Sequence, residues 1–248
     1  MKVIINGANG KMGKVITELA LNGYRGASLA AAIDINSASH AAFPIYEHLA
    51  DFDGDADIII DFSHHSITST LIDYAISRNL PVVIATTGHT DAEMNIIEDA
   101  SKKIAIFKSA NMSVGIALLA EMAKRVASVM QNANIEIVEA HHNMKLDSPS
   151  GTALLLANSI KEVRTEAEFV YSRHGMEKRS ENEIGIHALR YGSVIGEHEI
   201  IISDGTETIK LRHEAHSRSL FAQGAICAAA FLVKQPSGMY NMKSMLGN

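Results

Sequence analysis

A chain of 248 residues, 47% hydrophobic and 20% charged, has the make-up of an ordinary globular protein, long enough for one large domain or two moderate ones. A formal net charge of -6, no Trp and 5% aromatic residues argue against a nucleic-acid partner, whether held by its phosphates or by base stacking. The single cysteine, Cys227, excludes a disulfide within the chain and fits the cytoplasm. No signal-peptide pattern opens the sequence, and no apolar run reaches the roughly 18 residues a membrane span needs.

In chain order, residues 3–6 read as a strand. Residues 12–22 read as a helix with Met12, Val15, Ile16 and Leu19 on its apolar face. Strands follow at 27–34 and 56–63, a helix at 67–79, a strand at 81–86, a helix at 91–102 and a strand at 104–108. Such alternation with short links implies a parallel sheet covered on both faces. After about Asn111 the character changes. A long helical pattern at 114–130 leads to a strand at 135–140 and a helix at 153–163. Strand-like runs follow at 168–172, 184–191, 198–203 and 207–212, without long helices between them, which implies an antiparallel or mixed sheet. The apolar helix at 220–233 is expected to return to the first domain. That domain then comprises 1–112 and 218–248, with a second domain at 113–217.

Gly7-Ala8-Asn9-Gly10-Lys11-Met12-Gly13 lies between the first strand and the first helix, with the spacing G-x-x-G-x-x-G. Gly7 suits a tight turn, Gly10 a close backbone approach to a pyrophosphate, and Gly13 close packing of helix on sheet. The same glycines could build an ordinary strand-to-helix turn. Asp34, at the end of the second strand, favours the nucleotide reading, because a carboxylate there accepts from the adenosine ribose hydroxyls. The fold class is therefore α/β: a Rossmann-type parallel-sheet domain plus a mixed α+β domain. Asp34 also repels a 2′-phosphate. Ile35, Asn36, Ser37, Ala38 and Ser39 after it are not basic, and His40 is the first that could carry charge. NADH is expected to be preferred over NADPH, although Lys11 could reach a phosphate.

The most informative stretch is 139–153. His141, His142 and Lys145 precede a turn of small residues, Ser148-Pro149-Ser150-Gly151-Thr152, that opens a helix. A helix start binds anions through its N–H groups and dipole, so the stretch forms a cationic pocket for a small dianionic substrate. His141 can transfer a proton near neutrality and Lys145 can stabilise developing charge. Glu139 and Asp147 read as residues that orient the loop. His64-His65 could suggest a metal pair, but adjacent side chains point apart and no second pair lies nearby, so no metal is expected.

This stretch resembles the E-x-H-H-x-x-K-x-D-x-P-S-G-T-A signature of the dihydrodipicolinate (4-hydroxy-tetrahydrodipicolinate) reductase family. The glycine loop resembles the family's G-x-x-G-x-M-G. Asp61-Phe62-Ser63, Ala85-Thr86-Thr87-Gly88, the run 109–115, the run 190–199 and the run 213–225 match further motifs in the family's order. The chain departs at His64-His65, where the family commonly has a proline, and at Ala85, where it often has glycine. The resemblance implies a tetrameric, NAD(P)H-dependent reductase of the diaminopimelate route to lysine, with two domains closing around substrate and cofactor. It implies cofactor contacts at Gly7, Ala8, Asn9, Gly10, Lys11, Met12, Asp34, Ala85, Thr86, Thr87, Ser109, Ala110, Asn111 and Met112. It makes His141 the acid–base residue, Lys145 a second proton donor or electrostatic partner, and His142, Ser150, Gly151 and Thr152 substrate contacts. Arg190 and Arg218 carry no catalytic assignment. The alternatives are another small-dicarboxylate reductase of the same fold, or a non-catalytic dinucleotide sensor; a sensor would carry the glycine loop without a complete acid–base cluster.

Overall fold

The computed structural model describes residues 1–36 and 43–247. In chain order its strands are β1 (Lys2–Asn6), β2 (Ser28–Ile33), β3 (Ile45–Tyr46), β4 (Ile58–Asp61), β5 (Val82–Ile84), β6 (Ala105–Lys108), β7 (Asn134–His141), β8 (Glu168–Tyr171), β9 (Glu183–Arg190), β10 (Glu197–Ser203), β11 (Thr208–Glu214) and β12 (Gly238–Tyr240). The helices are α1 (Lys11–Leu21), α2 (Thr68–Ser77), α3 (Asp91–Ser101), α4 (Val114–Val129), α5 (Gly151–Lys161), α6 (Ser219–Leu232) and α7 (Met242–Leu246). The chain divides into two compact units, Met1–Ser113 with Ser219–Asn248, and Val114–Arg218.

Among the described residues, the first unit holds a seven-stranded sheet in the order β12-β6-β5-β4-β1-β2-β3. Its strand pairs are parallel. The central strands are continuous apolar runs, Val3-Ile4-Ile5, Ile58-Ile59-Ile60 and Val82-Val83-Ile84, all fully buried, as strands covered on both faces must be. On α1 the inward stripe is Gly13, Ile16, Thr17 and Ala20, so the expected face of Met12, Val15, Ile16 and Leu19 is turned by about one position. Close approach explains the turn. A Cβ on Gly13 would sit 2.0 Å from the Gly7 carbonyl oxygen, so only glycine can occupy the contact, and the small residues follow it inward. Helix α6 packs on α1, β4, β5 and β6, and Cys227 is half-buried within it. The short elements β3, β12 and α7 extend this unit beyond what the sequence pattern predicts.

The second unit is a five-stranded mixed sheet, β11-β10-β7-β9-β8. The β7/β9 and β8/β9 pairs are parallel; β10 pairs antiparallel with β7 and β11. Helices α4 and α5 pack together and share a core with Ile135, Ile137, Ile184, Ile186, Ile200 and Ile202. That core-facing alternation then changes chemistry. The position after Ile137 on the same face is Glu139, the one after Ile200 is His198, and the one after Leu211 is His213. The register sets Glu139 opposite His198 and His198 opposite His213. One cross-strand row therefore carries titratable groups where the rows before it carry aliphatic ones.

Candidate active site

On the first unit, every motif singled out for the cofactor lies at the carboxyl ends of the parallel strands, the edge where ligands of open α/β sheets bind. Gly7 has φ +83, and a Cβ there would lie 2.7 Å from the Phe62 carbonyl oxygen. The N–H groups of Gly7 and Ala8 donate to the Ile33 carbonyl at 2.9 and 3.0 Å, which ties the loop to β2. Gly10 is the N-cap of α1, with extended backbone and no side-chain cap. Asp34 accepts from the Asn9 N–H at 2.8 Å through Oδ2 and from the Asn36 N–H at 3.0 Å through Oδ1. Each oxygen keeps a lone pair for a ribose hydroxyl. A cleft of about 430 Å³ opens here, lined by Gly7, Gly10, Asp34 and Ile35 together with Glu47 and His48. Sequence reading missed the last two, which follow the two-residue strand β3. Lys11 is exposed and Met12 half-buried. Ser37, Ala38, Ser39 and His40, weighed above for cofactor choice, lie outside the described residues.

The end of β4 is organised by a buried carboxylate. Asp61 accepts from Asn6 Nδ2 at 2.7 Å, Ser63 Oγ at 2.5 Å and Thr86 Oγ1 at 2.6 Å. Burial pushes its carboxyl up against the opposing pull of these bonds. The Thr86 hydroxyl is thereby turned inward, and Met112 lies in the core, so either can meet a ligand chiefly through its backbone. Ala85, Ser109 and Asn111 are half-buried at the edge, while Thr87 and Ala110 are exposed. Ser109 Oγ donates to the Asn111 carbonyl at 2.7 Å, which closes that turn. His65 pairs with Glu93 at 3.0 Å and His64 with Ser66 Oγ at 2.9 Å.

On the second unit, His141 is the last residue of β7 and does not share the loop of Lys145. The strand runs one residue further than predicted because His141 pairs with Arg190 on β9 and accepts the Tyr191 N–H at 3.0 Å. Glu139 is 0% exposed yet fully bonded. Its Oε2 lies 2.6 Å from His141 Nδ1, and it accepts two Arg190 guanidinium N–H groups at 2.8 Å each and the Ser150 N–H at 3.0 Å. Burial pushes the carboxyl up, but the bonds from His141, Arg190 and Ser150 outweigh it and hold it down at about 2. A further Arg190 bond, 2.7 Å to the Asp147 carbonyl, ties the following loop to the same carboxylate.

Lys145 Nζ lies 2.8 Å from Asp147 Oδ1 and its N–H donates to the His142 carbonyl at 3.1 Å. His142 is half-buried beside them. Ser150, 1% exposed, is the N-cap of α5. Its Oγ accepts from the Ala153 N–H at 3.2 Å and lies 3.1 Å from His198 Nε2. The hydroxyl expected to face the substrate is therefore committed inward. Gly151 and Thr152 are the helix's first residues, at its positive end, and Gly151 has open space where a Cβ would be. His198 and Arg190 are the members of this cluster whose roles sequence reading missed. The alternation Ile202, Ile200, His198 was the available signal.

Known proteins carry the same plan. Residues 1–112 match the family model described as dihydrodipicolinate reductase, N-terminus, and residues 115–246 match its C-terminus. The chain belongs to the dihydrodipicolinate reductase family. A 4-hydroxy-tetrahydrodipicolinate reductase of Clostridium tetani is 44% identical over 250 residues, covering 100% of this chain and 98% of that one. The protein of the same name from Caldanaerobacter subterraneus is 46% identical over 248 residues, covering 99% and 98%. Among solved structures, the dipicolinate-bound dihydrodipicolinate reductase of Paenisporosarcina sp. TG-14 superposes with TM-score 0.79 at 25% identity over 97% of each chain. That likeness bears out the Rossmann-type parallel-sheet unit joined to a mixed-sheet unit.

Proposed function

We propose that the chain reduces 4-hydroxy-tetrahydrodipicolinate to tetrahydrodipicolinate with NAD(P)H, in the diaminopimelate route to lysine. The observation that carries the reading is the His141–Glu139 pair beside Lys145 and the start of α5, in a chain matched to this family along nearly its whole length.

The first unit fits a dinucleotide. Gly7 and Gly13 leave no room for side chains, and Asp34, fixed by the Asn9 N–H, supports the reading of a ribose contact. The nicotinamide supplies hydride when bound. Gly7, Ala8, Asn9, Gly10, Lys11 and Met12 would hold the pyrophosphate, and Asp34 the ribose. Ala85, Thr86, Thr87, Ser109, Ala110, Asn111 and Met112 would border the nicotinamide. NADH is the preferred cofactor and NADPH the second, because Asp34 repels a 2′-phosphate.

On the second unit, His141 gives the proton from Nε2, since Nδ1 is committed to Glu139. Lys145 stabilises charge as it develops, as a fixed cation near a partly desolvated site does. Gly151 and Thr152 at the α5 start, with His142, receive a substrate carboxylate. Ser150 serves that helix start as its cap. The protein acts as a homotetramer in the cytoplasm. The sheet face opposite α4 and α5 carries Val138, Leu189 and Ile201, and a partner copy would cover them.

The test is loss of reduced-nicotinamide absorbance with the product of dihydrodipicolinate synthase as substrate. Substrate-dependent oxidation is expected with both cofactors, inhibited competitively by pyridine-2,6-dicarboxylate. No oxidation with either cofactor would overturn the reading. Oxidation driven only by another dicarboxylate would move the activity to that substrate.

A further inference from the structure

The Glu139 carboxylate is placed for more than charge balance. It is buried, and each of its oxygens is already directed: Oε1 takes the Ser150 N–H and Arg190, Oε2 takes His141 Nδ1 and Arg190. A bidentate guanidinium fixes a carboxylate in plane as well as in position. On the other side of the His141 ring stands a residue without a side chain, Gly196, where a Cβ would fall 3.1 Å from Nε2. An acceptor at Nδ1 decides which nitrogen of a neutral imidazole carries hydrogen, and so which one exchanges a proton with a ligand.

We propose that Glu139 is a positioning residue for the reduction: held by Arg190 and the Ser150 N–H, it keeps His141 in the Nδ1–H form and leaves Nε2 as the proton-transferring atom. The inference rests on the reading of His141 as proton donor. Overall the substrate loses its 4-hydroxyl as water and gains one hydride, which the nicotinamide would supply, and one proton; that proton passes from Nε2 of the imidazolium to the substrate's carbon framework, and Nδ1–H stays on the ring, bonded to Glu139. Recharging by solvent restores Nε2–H. The same carboxylate also anchors the start of α5 through Ser150, so the proton donor and the anion-binding turn share one support. Sequence distance hides this: Arg190 reaches Glu139 across 51 residues.

Glu139→Gln gives a specific expectation. Its Oε1 can still accept from Ser150 and one Arg190 N–H, while the second Arg190 N–H loses the acceptor it had in Oε2. The amide then turns N–H toward Nδ1, donates to it, and forces the hydrogen of neutral His141 onto Nε2. ¹⁵N NMR of histidine-labelled protein should show His141 as the Nδ1–H tautomer in the wild type and Nε2–H in E139Q. Turnover of E139Q should fall about ten-fold or more, the scale of a positioned acid–base group. Its affinity for pyridine-2,6-dicarboxylate and its KM for NADH should stay within about two-fold, below the cost of one lost hydrogen bond. In a His141→Gln background the Glu139 substitution should add little, because the two act as one unit. An Nε2–H tautomer in the wild type overturns the proposal and needs no variant to fold. Wild-type turnover in E139Q with impaired H141Q also overturns it, as does a full multiplicative loss in the double variant. Normal turnover in H141Q instead defeats the proton-donor reading itself.

Discussion

A Cβ built on Gly196 falls 3.1 Å from Nε2 of His141 and 3.8 Å from Cε1 of His198. Gly196 immediately precedes β10, beside the pair Glu197–Ala140, so its Cα looks straight onto the imidazole at the end of β7. A methyl group would press on the nitrogen proposed to move the proton while leaving the backbone fold unstrained, since Gly196 is not among the positive-φ glycines. Gly196→Ala is expected to lower kcat about ten-fold. The thermal midpoint should stay within a few degrees, because a contact of this length needs only a small shift of the neighbour. Wild-type kcat would show that the ring turns aside without loss.

His198 lies edge-on to His141, ring centroids 5.2 Å apart. Burial holds its imidazole down at about 3, and the neighbouring His141 adds to the shift. A depressed folded pKa contributes stability that is complete above the unfolded value, about 6.5, and is lost as pH falls toward 3, because the unfolded chain takes up a proton that the folded one refuses. Through this group alone, folding should weaken by about 2 kcal/mol between pH 7 and pH 5. His198→Gln keeps a polar partner for Ser150 and removes the titration. Urea unfolding at the two pH values should therefore show a shallower pH dependence in the variant, even if it is less stable at pH 7. Equal dependence in both proteins would mean that His198 is protonated in the fold.

The contrast between these two residues explains what was legible in the sequence. The glycine loop, Asp34 and the stretch from Glu139 to Thr152 are local patterns, in which spacing along the chain dictates spacing in space. Arg190 and His198 belong to the same cluster, but only the sheet register brings them to Glu139 and Ser150, 51 and 48 residues away along the chain. A run of alternating isoleucines announces a strand, not which strand lies beside it. The α1 face was misjudged for a related reason. Hydrophobicity favoured Met12 and Leu19, while close packing at Gly13 turned the small residues inward. Strands of two or three residues, β3 and β12, are too short to show a period at all.

Lys145 and Asp147 form an ion pair of 2.8 Å, which holds the Asp147 carboxyl below its usual range. The pair is partly exposed, so its own contribution to stability is small. Removing either side should therefore separate chemistry from loop order. Lys145→Ala is expected to lower turnover ten-fold or more by removing the cation proposed to meet developing charge. Asp147→Ala frees that cation and should change turnover less than about three-fold, because Arg190 still holds the loop through the Asp147 carbonyl. Steady-state kinetics on both variants decides the matter. A larger loss in Asp147→Ala would make the carboxylate the working member.

Cofactor choice turns on the cleft beside the glycine loop. Asp34 is fixed there by two backbone N–H groups, from Asn9 and Asn36, so it cannot swing away from a 2′-phosphate without breaking the loop's own bonds. Glu47 lines the same cleft and adds a second negative charge. Ile35 is 80% exposed on its rim and carries nothing that could pair with phosphate. The ratio of kcat/KM for NADH over NADPH is therefore expected to exceed one at moderate salt, where screening does not mask the repulsion. Ile35→Arg should narrow the ratio by raising NADPH use, since a guanidinium binds phosphate through paired N–H groups. Glu47→Gln should act in the same direction more weakly, because it only removes a repulsion. A wild-type ratio below one would mean that a cation such as Lys11 outweighs both carboxylates. Ile35→Arg would then raise NADPH use little, and Lys11→Ala would be the variant that restores NADH.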